Sequence, residues 1–209
     1  MILIDKTAVM NLDGAIRGAR NPMNSWAKSD SYYDENGKFV LGPIDIDFGH
    51  RLAVSGSDHR KFLRQVFVTV DITAPLYWWK EFDTYKVATV ANSTSTMHKI
   101  HAKAFDRDDF SHDRLDEGGL ALLDATVAYL EAERQKFIAN KEDRQPWHNM
   151  IQMLPSSYNQ MRTVTLNYEN LINIYYARRN HKLAEWHVLC DWILSLPYEQ
   201  ELICIKEEN

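Results

Sequence analysis

The chain has only two cysteines in 209 residues, Cys190 and Cys204, which is too few for a disulfide framework, and neither has a metal-like neighbour. Cys190 falls in an apolar helical pattern and reads as packing. No run approaches the ~18 consecutive apolar residues of a membrane helix. The N-terminus lacks the layout of a signal peptide. These absences point to a reducing compartment and to the cytoplasm, with no membrane partner. Excess positive charge is missing too. A net charge of −5 argues against a nucleic-acid groove driven by bulk charge, while leaving room for a small anion held by a few local cations. There is no internal repeat and no low-complexity segment. Hydrophobic content of 45% and charged content of 25% are ordinary for a globular protein, and the length predicts a single domain over 1–209.

Periodicity gives the elements. Leu12 to Arg20 reads as a short helix with Leu12, Ile16 and Ala19 on one side, stopped by Asn21-Pro22. Tyr32 to Gly42 has turn chemistry at Glu35-Asn36-Gly37 and predicts a hairpin or an irregular excursion. Gln65 to Ile72 alternates Val66, Val68, Val70 and Ile72 with Phe67, Thr69 and Asp71, the pattern of a strand. Thr73 is expected to cap a helix that tolerates Pro75 in its first turn and carries Leu76, Trp79 and Phe82 inward. Asn92 to Thr96 reads as a polar loop. After Gly118-Gly119, Leu120, Leu123, Val127, Leu130 and Phe137 mark a long amphipathic helix. A final helix over about Leu183 to Leu196 carries Trp186, Leu189, Cys190 and Ile193, and Pro197 ends it. The fold class is α+β, helix-rich, with a small and mainly antiparallel sheet.

Two metal-like constellations are weak. Asp106 to Glu117 has the length of a calcium loop, but Phe110 offers no oxygen and Ser111 stands where glycine is required. His98-x-x-His101 with His112 lacks a convincing further ligand for zinc. No metal site is expected. The stretch from Tyr158 to Lys182, read as one helix, is more telling. At 100° per residue, Asn167, Asn170, Leu171, Ile174 and Arg178 share a stripe roughly 100° wide. An arginine on a core-facing stripe calls for a partner. That partner is either an acid elsewhere in the chain or a bound anion or polarised carbonyl, with the amides reading a planar ring.

Leu154, Pro155, Tyr158, Asn167, Leu171, Asn173 and Arg178 resemble, at matching offsets, the C-terminal part of the flavin-dependent thymidylate synthases. That family follows the arginine with His-Ala-Gln-Trp, and Lys182 to Trp186 fits loosely, with one insertion. A second matching segment begins at Ala74-Pro75 and continues through Trp78 and Trp79. Ala15, Arg17, Ala19 and Arg20 look like the family's opening helix, and His59 sits near its conserved histidine. The departures are specific. Thr84-Tyr85-Lys86 stands in place of the family's Arg-His-Arg, Thr89 replaces its serine, and Asn92 and Ser95 match its loop. Met97-His98 stands for Arg-Tyr, and Ile151 occupies a position where the family often has arginine. Each lost charge-assisted bond to a phosphate is worth about 1.5–3 kcal/mol, unless Arg60, Lys61 or Arg64 compensates.

The resemblance implies methylation of dUMP, or a related pyrimidine nucleotide, at C5 without a cysteine nucleophile. FAD is the implied cofactor, with NADPH and methylenetetrahydrofolate as co-substrates. It implies that Arg178 polarises the uracil edge as the catalytic residue and binds substrate with Glu81 and Ser95. His59, Lys86, Thr89, Asn92, Asn167, Asn173 and Lys182 are implied to hold the cofactor. A homotetramer is implied because the family builds each site from several subunits. The eroded arginine signature leaves a second reading open, that of a non-catalytic or retargeted protein binding a nucleotide or flavin on the same fold.

Overall fold

The computed structural model describes residues 1–205. It is helix-rich with a small antiparallel sheet, as expected. The elements are β1 (Leu3–Met10), α1 (Leu12–Arg20), β2 (Tyr32–Tyr33), β3 (Phe39–Val40), α2 (Pro43–Val54), β4 (Phe67–Pro75) and α3 (Leu76–Phe82). They continue with β5 (Val90–Ser93), α4 (Glu117–Ala139), α5 (Gln145–Met153), β6 (Asn159–Asn167), α6 (Tyr168–Arg178), α7 (Ala184–Ile193) and α8 (Glu199–Leu202). The larger sheet has the order β1-β4-β6-β5, and β2 pairs with β3 as a separate hairpin. Among the described residues no helix is long and apolar enough to cross a membrane.

The chain divides into two compact units. The first comprises Met1–Leu3, Asp71–Thr84 and Asn92–Thr163; the second comprises Ile4–Val70, Tyr85–Ala91 and the stretch from Val164 onward. In the first unit, α4 and α5 pack together over Ile100, Phe105, Phe110, Leu123, Leu130, Phe137 and Met150. Asp116 caps α4 by accepting from the Gly119 amide at 2.8 Å, so the helix begins before the glycine pair. In the second unit, α6 packs on α7, and α2 on α8. Gly49 lets α2 come close to α8, since a Cβ there would meet Leu202 Cδ2 at 3.1 Å.

The β4 alternation is as read: Val66, Val68, Val70 and Ile72 are all buried. The expected cap at Thr73 is corrected. The strand runs on through Pro75, which itself occupies the N-cap of α3. A proline holds the residue before it in extended conformation, so Ala74 cannot begin a helix. The carbonyls of Tyr158 and Ser156 satisfy the first α3 amides, Leu76 and Tyr77, at 3.0 and 2.9 Å. The polar loop expected at Asn92 begins inside β5, whose last residues are Asn92 and Ser93.

The single helix expected over Tyr158 to Lys182 is also corrected. Asn159–Asn167 is a strand, and the helix starts at Tyr168. Thr163, Val164 and Thr165 favour a strand because branching at Cβ suits a pleated surface. A reciprocal cap marks the switch: Asn167 Oδ1 accepts from Asn170 N at 2.9 Å, and Asn167 N donates to Asn170 Oδ1 at 3.2 Å. Side chains fix the register of β4 on β6. Thr69 and Thr165 share a hydroxyl hydrogen bond at 2.9 Å, and Thr163 donates to Asp71 at 2.6 Å. Residue numbers rise on one strand as they fall on the other, the signature of antiparallel pairing.

A buried ion pair organises the second unit. Arg20 donates through Nε to Asp45 Oδ1 at 2.7 Å, and both side chains are almost fully buried. Ser29 and Ser31 donate to the other oxygen, Asp45 Oδ2, at 2.5 and 2.6 Å. The Arg20 guanidinium lies 4.5 Å from the Phe48 ring centre. Burial opposes the Asp45 charge, yet the two hydroxyls and the guanidinium outweigh it and hold the carboxyl below its usual range. Removing one partner strands the other charge. Asp45→Ala should cost about 3–5 kcal/mol in equilibrium urea unfolding, against near-neutral change for Asp47→Ala in an exposed pair.

Acid should loosen the first unit. Glu131 accepts from Arg134, Gln135 and the Phe105 amide, and the Arg134 bond leads in lowering its pKa to about 2. A depressed carboxylate pKa adds stability that is fully present above the unfolded value near pH ~4.3 and is lost as pH falls through the folded one. The melting temperature should therefore drop between pH 4.3 and pH 2. Glu131→Gln should flatten that drop.

Candidate functional site

Arg178 ends α6 as part of the last turn, half-buried, and two aromatic side chains of the second unit lie against it. Its Nε donates to the Tyr85 hydroxyl at 2.8 Å. Its guanidinium carbon lies 4.5 Å from the Trp186 ring centre and 5.5 Å from that of Tyr85. The two rings meet edge to face at 6.0 Å, and His181 approaches Trp186 at 6.1 Å. A guanidinium over an indole gains about 0.5–2 kcal/mol and leaves the planar fork with a defined direction, which a flexible ammonium would lack. The sequence stripe singled out this arginine. It missed the partners: Tyr85 counts there only as a lost cation, and Trp186 only as a loose motif match.

The segment 85–91 that carries Tyr85 is tied to α6 again where Asn170 Nδ2 donates to Val87 O at 2.9 Å. Within it Lys86 is exposed, and Ala88 takes a left-handed conformation with φ of 57°. Such a backbone is uncommon for a residue with a Cβ, and strain of this kind concentrates at functional loops. The Thr89 hydroxyl is buried with no hydrogen-bond partner. A polar group in that state is unfavourable by itself and suits a ligand able to pair with it.

The remaining expected cofactor residues of this unit are spread out. Asn167 is buried and its side-chain oxygen is engaged in the α6 cap. Asn173 is exposed, about 140° round α6 from Arg178 at 100° per residue. Lys182 and His59 are exposed as well. Arg64, a candidate to replace the missing cations, instead forms a bidentate pair with Glu169, and Arg60 lies 3.9 Å from the same carboxylate. Arg64 is therefore committed to the first turn of α6, while the buried Arg60 Nε has no hydrogen-bond partner.

The first unit holds Glu81, Asn92 and Ser95. Glu81 accepts from the Thr84 amide and hydroxyl through its backbone carbonyl. Ser95 Oγ accepts from the amides of Met97 and His98 at 3.3 and 2.8 Å, which rounds off the turn after β5. Asn92 is exposed on that strand. A second arginine–indole contact holds this region: Arg162 lies 4.3 Å from the Trp79 ring and donates to Asp83 at 2.8 Å and Gln160 at 3.0 Å. Gln160 in turn donates to Thr94 O at 2.7 Å.

Among the described residues no three His, Cys, Asp or Glu side chains form a metal-holding group. Asp106 and Asp109 cap each other across a short 3-10 turn, and His112 Nδ1 contacts Phe110 O at 2.8 Å. Cys190 is buried, and burial pushes its thiol up to about 11, far from a reactive thiolate.

No family model matches the sequence, and no curated protein matches it. Solved structures do match across the whole chain. Thymidylate synthase X from Helicobacter pylori, with FAD and dUMP, is 18% identical with a TM-score of 0.69, covering 99% of this chain and 100% of that one. A second structure of that enzyme, complexed with FAD and dUMP, gives 0.66 at 18% identity, over 97% of each chain. The UMP/dUMP methylase PolB from Streptomyces cacaoi, bound with 5-Br dUMP, gives 0.60 at 11% identity, over 98% of this chain and 94% of that one. At these identities the likeness is one of architecture, and it spans both units. Divergent as its sequence is, the protein has the fold of the flavin-dependent thymidylate synthases.

Proposed function

We propose that this protein is a cytoplasmic, flavin-dependent enzyme that methylates dUMP, or a related pyrimidine nucleotide, at C5. Methylenetetrahydrofolate would be the one-carbon donor and NADPH the reductant. The observation that carries the reading is Arg178, held by Tyr85 and Trp186 on a chain whose whole fold matches proteins crystallised with FAD and dUMP. Its planar fork suits a pyrimidine carbonyl edge and would stabilise negative charge as the ring is activated.

The residues fit a flavin nucleotide at the 85–91 segment, where the orphaned Thr89 hydroxyl and exposed Lys86 offer a donor and a cation to a phosphate. Bound FAD would supply hydride chemistry. His59, Asn92, Asn167, Asn173 and Lys182 would complete its cradle, with Glu81 and Ser95 on the substrate. Asn173 turns away from Arg178 round α6, so a complete pocket would draw residues from more than one chain, as in a homotetramer.

A second reading has its own observation. Tyr85, standing where the family carries a cationic signature, takes up Arg178 Nε. Arg64 is spoken for by Glu169. A protein that binds a nucleotide or flavin without turnover fits those facts, and turnover assays with dUMP separate the two.

Titrating FAD with the purified protein at micromolar concentration should quench flavin fluorescence with saturation. Absence of quenching even at high protein concentration removes the cofactor from the reading. Arg178→Lys keeps the charge and loses the fork. It should leave the melting temperature nearly unchanged while nucleotide affinity or turnover falls at least about tenfold. A drop in melting temperature with ligand affinity intact would make Arg178 a structural residue.

A further inference from the structure

Three aromatic side chains of the second unit gather at the surface around one hollow. Trp26 is 49% exposed and Tyr33 59%, while Phe39 is half-buried. The hollow has a volume of about 270 Å³ and is lined as well by Ile16 and Arg17 of α1 and by Ser29. Each ring is held in place. The Trp26 indole N–H donates to Asn21 Oδ1 at 2.8 Å, and the Tyr33 hydroxyl donates to Asp13 Oδ2 at 2.9 Å. Phe39 is the cross-strand partner of Tyr33 in the hairpin, with the two ring centres 5.1 Å apart. Exposed apolar side chains are ordinarily scattered singly. Rings gathered and fixed around a concave surface mark a binding site.

Charge decides what the hollow takes. Three charged side chains reach it: Asp13, Arg17 and Arg20. Arg20 is neutralised by Asp45. Asp13 is served by the Tyr33 hydroxyl and then by the Gly14 amide, which hold its carboxyl below its usual range. It also stands in the first turn of α1, where the helix dipole favours a negative charge. Arg17 has no such support. It is exposed and, among the described residues, forms no ion pair, although Asp13 one turn earlier lies within electrostatic reach. The unmet demand is for a negative charge beside flat apolar surface. We propose that this hollow binds a planar aromatic carboxylate of one or two rings, its ring against Trp26, Tyr33 and Phe39 and its carboxylate on the Arg17 fork. The volume sets the size, since it falls just under the roughly 300–1,000 Å³ of pockets that hold drug-sized molecules. Offset or edge-on ring contacts supply affinity, and the planar guanidinium supplies the preference for a carboxylate. The hollow shares no residue with the surroundings of Arg178, so its occupant is a second ligand and not the nucleotide.

Isothermal titration calorimetry of the full chain with naphthoate, at neutral pH and without FAD, should show saturable one-to-one binding. The corresponding naphthyl alcohol, with the same rings and no charge, should bind at least about tenfold more weakly. Arg17 is exposed on α1, so Arg17→Gln should melt at the native temperature. It should weaken naphthoate alone and so bring the two affinities together. Trp26→Ala should weaken both probes. Saturating FAD and dUMP should leave the naphthoate affinity unchanged. No saturable binding of naphthoate by the parent protein would overturn the proposal. So would an Arg17→Gln variant that binds naphthoate as the parent does, or displacement of naphthoate by FAD.

Discussion

The pairing of β4 with β6 is the constraint on which the other elements depend. Each strand passes into a helix with no intervening loop, β4 into α3 at Pro75 and β6 into α6 at Asn167. The direction of each helix is therefore inherited from its strand. A slip of one residue would turn Val68, Val70 and Ile72 out of the core and bring Thr69 and Asp71 in. Two polar pairs, Thr69 with Thr165 and Asp71 with Thr163, make that slip doubly unfavourable, since it would separate hydrogen-bonding partners as well as expose apolar surface. Register at the strands becomes position at the helices.

Position then becomes chemistry. Arg178 stands at the C-terminal end of α6, where a cation also complements the helix dipole. Its aromatic surround, the Tyr85 hydroxyl and the Trp186 ring face, helps to fix the guanidinium plane. Arg20 is held in a buried ion pair. Asp45 neutralises it, two serines support that carboxylate, and the group becomes a fastener between α1, α2 and the segment between them. The surroundings give two arginines of one unit different tasks.

Where local pattern and tertiary structure agree, the sequence is readable. The periods of α1, α4 and α7, the Asn-Gly turn of the hairpin and the alternation of β4 each arise from contacts on one face of one element. Reading failed from Tyr158 to Asn167, because a stripe at helical spacing overshadowed the branched residues Thr163, Val164 and Thr165. The reciprocal Asn167–Asn170 cap was the available signal of the true boundary. Arg178 was legible because a charge on an apolar stripe is anomalous anywhere. Tyr85 was not, because its role is set by a residue 93 positions away. Asp45 was hidden for the same reason, 25 positions from Arg20.

The clamp on Arg178 has a consequence for how this sequence drifts over generations. Tyr85 and Arg178 share one hydrogen bond and one ring contact, so a substitution at one changes what surrounds the other. A histidine or arginine arising at position 85 would set a new dipole or a like charge against the guanidinium, and selection would then act on position 178 or on Trp186. A change at any one of these three positions therefore alters the surroundings of the other two.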